Sequence, residues 1–155
     1  MSVKPEELER LAIAAAENFG LVLSRCEPMP KDSKLRARAK KFDDRPNAVF
    51  FNLECTIYYS LPVLALPRHM AAAVIAHELG HLALGHNGSN HKNEYEADET
   101  ALQILDFWGL PMQSLGMLFK LLGVETDEAS PSHPSGKSRG QWLRECIIRI
   151  NNGGF

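Results

Sequence analysis

Residues 77–81 read His-Glu-Leu-Gly-His: two imidazoles four positions apart, with a carboxylate beside the first. On a helix, residues i and i+4 differ by about 40° of rotation, so His77 and His81 project from one face about a turn apart. That separation suits two ligands of one tetrahedral ion. Zinc is the natural ion for paired imidazoles, one oxygen ligand and one open position. Glu78 stands next to the first ligand, within reach of a water on the ion. Zinc lowers the pKa of such a water toward about 7, and the carboxylate then acts as general base. The competing reading is a chance arrangement of core polar groups. Three polar side chains set between Ala-Ala-Ala-Val-Ile-Ala and Leu-Ala-Leu-Gly are costly to bury without strong partners, which favours the metal.

A third ligand must come from elsewhere. The pattern HExxHxxGxxH needs Gly and His where this chain has Leu84 and Asn87, so that class of site is excluded. His86 falls one residue early and His91 lies in an expected loop. Glu94 is the stronger candidate, because Glu94 and Asp98 are again i and i+4 and share one helix face. Glu96 points about 200° away from Glu94. A carboxylate such as Asp98, one turn beyond the ligand, can accept from the free ring nitrogen of a ligating imidazole, His77 being the expected one, and so fix its tautomer. The bland alternative for Glu94 and Asp98 is a solvated acidic helix start.

The elements that would carry these residues can be read from periodicity. Leu8, Leu11, Ala12, Ala15 and Phe19 form one apolar stripe, predicting a helix over residues 4–19. Strands are expected at Leu21–Cys26, at Lys34–Phe42, where Leu, Ala and Ala alternate with Arg, Arg and Lys, and within Ala48–Ser60. Pro67–His86 is apolar almost all round, which marks a buried central helix. Further helices are expected at Asn93–Trp108, Met112–Leu122 and Gln141–Ile150, with a polar loop over residues 124–140. Helix, then strands, then helices is an α+β order. The aromatic side chains of Phe107, Trp108, Phe119 and Trp142 are expected in the core.

At 155 residues the chain suits a single domain spanning 1–155, able to bury roughly 70% of its unfolded surface. With 17 Lys and Arg against 19 Asp and Glu the net charge is −2, which argues against a dedicated nucleic-acid binder. Three widely spaced cysteines build neither a disulfide framework nor a CxxC zinc knuckle, and favour a reducing compartment. The segment MSVKPEELER is acidic where a secretory signal is basic, and no run of about 20 apolar residues is available. A cytoplasmic protein with no membrane partner is expected.

The run AVIAHELGHLALGH, then NEYEADETALQIL, then WGLP, and finally SHPS with Arg139 downstream, resembles in that order the peptidase family of the CAAX prenyl proteases and HtpX. The likeness covers about residues 62–145, and the small soluble minigluzincins are similar in size. It implies a compact gluzincin: a small mixed sheet packed on the HExxH helix, with an ExxAD helix crossing beneath and further helices after it. It also implies roles for two further residues. The His of the family's HP loop corresponds to His133, a candidate electrophile or reversible plug. The Arg that follows it corresponds to Arg139, a candidate substrate contact. In gluzincins an exposed edge strand pairs with an extended peptide. Residues 48–60, with Tyr58 and Tyr59, are the candidates for that edge. The membrane spans of the prenyl proteases are missing, so prenylated substrates do not follow from the likeness.

The expectation is therefore a zinc metalloendopeptidase, one zinc ion per chain held by His77, His81 and Glu94, acting on a peptide or unfolded-protein substrate with Glu78 as base. Two alternatives stand beside it. One is a regulatory peptidase of the HELGH type that cleaves a repressor. The other is a latent or non-catalytic zinc-binding module closed by the His133 loop, whose fourth ligand would leave no position for water.

Overall fold

The computed structural model describes residues 2–30, 44–86, 90–123, 128–129 and 134–153. Among them the chain is α+β, with five α-helices and a three-stranded mixed sheet. Helix α1 (Pro5–Asn18) leads to β1 (Arg25–Pro28), β2 (Ala48–Phe51) and β3 (Thr56–Tyr59). A 3₁₀ turn at Leu61–Ala65 precedes α2 (Arg68–Ala83), α3 (His91–Phe107), α4 (Gln113–Leu121) and α5 (Gly136–Asn151). No described helix is long and apolar enough to cross a membrane.

The sheet order is β1-β3-β2, with β1 parallel and β2 antiparallel to β3. The strand region 48–60 is thus a hairpin. Its chain reverses at Asn52–Cys55, where Cys55 takes a left-handed φ of 49°. This order corrects part of the edge assignment: Tyr58 and Tyr59 lie on the central strand, whereas β2, also within residues 48–60, is at an edge among the described residues. Strand β1 begins at Arg25 rather than Leu21, because β3 offers partners only from Thr56 to Tyr59. The expected strand at Lys34–Phe42 lies outside the described residues.

Helix α2 packs against α1, β2, α3 and α4, which is why its sequence is apolar on nearly every side. Ala71, Ala72, Ala73, Ile75, Ala76 and Leu79 are all buried. The small side chains let neighbouring backbones come close, most of all at Gly80, where an added Cβ would sit 2.6 Å from the carbonyl oxygen of Ala97 on α3. The two indole N–H groups lock the helices laterally: Trp108 donates to Leu11 O and Trp142 to Tyr95 O, each at 2.9 Å. Helix α5 starts five residues before the expected boundary. Ser135 accepts from Ser138 N at 3.1 Å, an N-cap that turns the Gly- and Ser-rich end of the expected loop into helix.

Candidate metal centre

Helix α2 presents His77 and His81 one turn apart, and their Nε2 atoms lie 3.2 Å from each other. The Gly80–Ala97 approach brings α3 close enough for Glu94 to span both. One carboxylate oxygen is 3.3 Å from His77 Nε2 and the other 3.3 Å from His81 Nε2. Glu94 is positioned by the start of α3, where Asn90 caps the helix by accepting from Asn93 N at 2.8 Å. Ligands about 2.0–2.1 Å from a tetrahedral ion lie about 3.3 Å apart, and one ligand atom from each of the three residues lies within 4.8 Å of the other two. The donor set of two imidazoles and a carboxylate can hold a metal ion.

His77 and Glu94 have further charged partners. Asp98, wholly buried one turn beyond Glu94, brings Oδ1 to 3.0 Å from His77 Nδ1. The approach is off the axis of the ring N–H and so is an ion-pair contact, not an aligned hydrogen bond. Asp98 is itself gripped by Arg139, whose Nε and Nη2 donate to its two oxygens at 2.9 and 2.8 Å. The same guanidinium lies 3.5 Å from Glu94 Oε2 and stacks 4.2 Å above the Phe119 ring. Arg139 is buried, and the fork on Asp98 makes it an anchor of the acidic pair as well as part of the cleft wall.

These contacts set the charge states. Burial opposes a charge on His77, but Asp98 and Glu94 outweigh it and raise the imidazole pKa to about 9. Burial alone would push Glu94 up; the two imidazoles and Arg139 instead hold it well below the usual carboxylate range. Glu78 goes the other way. Burial raises it, against the pull of His77, His81 and a hydrogen bond from the Phe50 N–H to Oε1 at 3.1 Å.

That last bond joins the site to the sheet. Asn47 O accepts from Ser60 N, so Val49 and Phe51 turn their polar groups toward β3, while Ala48 and Phe50 turn theirs outward. Among the described residues β2 has no second strand partner. Its outer edge, Glu78 and the imidazoles border one cleft of about 950 Å³. Apolar side chains also line the cleft: Val74 of α2, and Leu115, Leu118, Phe119 and Leu122 from the α4 region.

The structure brings His77, Glu78, His81, Glu94, Asp98 and Arg139 together. It does not bring Tyr58 or Tyr59 to the cleft. Tyr58 bonds Glu54 and packs edge-on against Phe51; Tyr59 is fully buried, with its hydroxyl unpartnered among the described residues. Tyr59 belongs to the core and Tyr58 faces Glu54 on a half-exposed side of the central strand, so neither borders the cleft. His133 lies outside the described residues. The periodicity missed Phe50, whose contribution is a backbone amide invisible in the side-chain pattern. Phe119 is in the core as expected and also lines the cleft beneath Arg139.

Compared with family models, curated proteins and solved structures, the chain matches none.

Proposed function

We propose that the chain is a zinc metalloendopeptidase of gluzincin type, with His77, His81 and Glu94 as ligands and Glu78 as the catalytic base. One observation carries the reading: two imidazoles and a carboxylate, each with a ligand atom within 4.8 Å of the other two, open onto a cleft that also holds the Glu78 carboxylate and a strand edge. Two nitrogens and one oxygen favour zinc over the hard cations, which prefer oxygen alone. The order of HELGH and ExxAD motifs supports the same class.

Bound there, zinc would supply Lewis acidity to the scissile carbonyl and acidify the attacking water. The protein's own groups do the rest. The outer edge of β2 aligns an extended peptide through backbone hydrogen bonds at Ala48. The wall of Val74, Leu115, Leu118 and Leu122 accepts an apolar side chain next to the scissile bond. Glu78 takes a proton from water as its oxygen bonds to the carbonyl carbon, then delivers that proton to the nitrogen as the C–N bond breaks. Burial raises the pKa of Glu78, which makes its carboxylate a stronger proton acceptor than a solvated one. The Phe50 N–H fixes the carboxylate's orientation.

The test is a mass-spectrometric cleavage profile of zinc-loaded protein on an unfolded-protein mixture, with Glu78→Gln in parallel. Cuts beside apolar residues in the wild type, reduced about 10²-fold or more in the variant, are expected. Equal cutting by both proteins, or none by a one-zinc wild type, refutes the peptidase.

A further inference from the structure

Helix α2 ends in a Schellman motif. The His86 N–H donates to His81 O at 3.1 Å and the Gly85 N–H to Leu82 O at 3.2 Å, with Gly85 left-handed at φ 65°. This closure folds the residue just past the helix back over the one five positions earlier, where an apolar pair often sits. Here the pair is two imidazoles. His86 Nδ1 lies 2.9 Å from His81 Nδ1, and the rings meet at 67° with centroids 5.2 Å apart. His81 turns Nε2 toward His77 and Glu94, so His86 stands behind the ligand, on the nitrogen that faces away from the ion.

The shared proton has a defined place once His81 Nε2 is a ligand. A neutral imidazole bound through Nε2 keeps its proton on Nδ1, and that proton is donated to the lone pair on His86 Nδ1. His86 must then carry its own proton on Nε2. Glu96 Oε2 is 3.6 Å from that atom, too far for a hydrogen bond but close enough for attraction to favour this tautomer. The His86 side chain is only 7% exposed, so water competes poorly for either nitrogen.

We propose that His86 is the positioning residue for His81, fixing its tautomer and ring orientation. The proposal rests on the metal reading of His77, His81 and Glu94. Partners of this kind contribute about 10–100-fold to metal affinity.

The experiment is competition for Zn²⁺ against a chelator, using wild type, His86→Leu, His86→Asn and His77→Ala. Leucine fills the space without an acceptor, whereas the asparagine amide oxygen can stand in for Nδ1. The expected order is wild type, then His86→Asn within a few-fold, then His86→Leu weaker by at least about tenfold. Nitrogen-15 NMR of the zinc-loaded wild type should show His81 protonated on Nδ1 and His86 on Nε2, a readout independent of how well the variants fold. Affinity of His86→Leu equal to wild type, His86→Asn no better than His86→Leu, or the opposite tautomers would each overturn the proposal. Those failures leave the metal reading standing if His77→Ala still loses zinc. A wild type that binds no zinc, or a His77→Ala variant that binds normally, removes the metal reading and this inference with it.

Discussion

Gly80→Ala sets two opposing effects against each other, and the structure decides the sign. In an ordinary helix the change gains about 1 kcal/mol, because glycine is the poorer helix former. Here the new methyl would lie 2.6 Å from Ala97 O and 3.1 Å from Ala97 Cα, about 0.8 Å inside the 3.4 Å limit of ordinary contact. Both are backbone atoms of α3 and cannot rotate away, so the two helices must separate. Overpacking of this sort costs about 1–3 kcal/mol, enough to reverse the propensity gain. The larger effect falls on the site, since Glu94 and Asp98 flank Ala97 while His77 and His81 flank Gly80. A separation of several tenths of an ångström exceeds the roughly 0.2 Å within which metal–ligand distances are held. Urea unfolding of the metal-free protein should show a net loss of stability, and chelator competition should show zinc binding weakened at least tenfold. A variant as stable as wild type with unchanged zinc affinity would refute the close-approach argument.

Arg139→Met leaves the fully buried Asp98 without its forked partner, a change that costs about 3–5 kcal/mol when a buried pair is broken. The low end is expected because protonated His77 still faces Asp98; a loss under 1 kcal/mol by urea titration contradicts the anchoring role. The pKa of His77, raised from 6.5 to about 9, stabilises the metal-free fold in full below pH 6.5. That contribution, about 3 kcal/mol, should fade as pH rises through 9, visible as a falling urea midpoint. Zinc uptake needs the neutral ring, so apparent affinity should climb about tenfold per pH unit up to pH 9 and level off above it. An affinity flat between pH 7 and 8.5 refutes the raised pKa.

The centre of the site was legible because its logic is local. His77 with His81 and Glu94 with Asp98 each obey the i, i+4 rule on one helix, and a polar trio in an apolar segment has few explanations. What joins those helices was not legible. Strand order depends on which partners pack against α2, and no pattern in residues 48–60 says that β2, not β3, takes the edge. Arg139 sits in a Gly- and Ser-rich stretch that reads as loop until Ser135 is recognised as its cap. His86 is one position off a ligand spacing, so spacing alone does not mark it. The signal that marks it is Gly85, the left-handed residue that closes α2 and turns the next side chain back onto His81.

Where a metal binds is the most direct test of the site. Anomalous diffraction at the zinc edge from crystals of the zinc-loaded protein should give one peak, bounded by His77 Nε2, His81 Nε2 and the Glu94 carboxylate at about 2.0–2.2 Å, with solvent at the fourth position. A peak elsewhere, a fourth protein ligand closing the ion, or no peak at full zinc loading would contradict it.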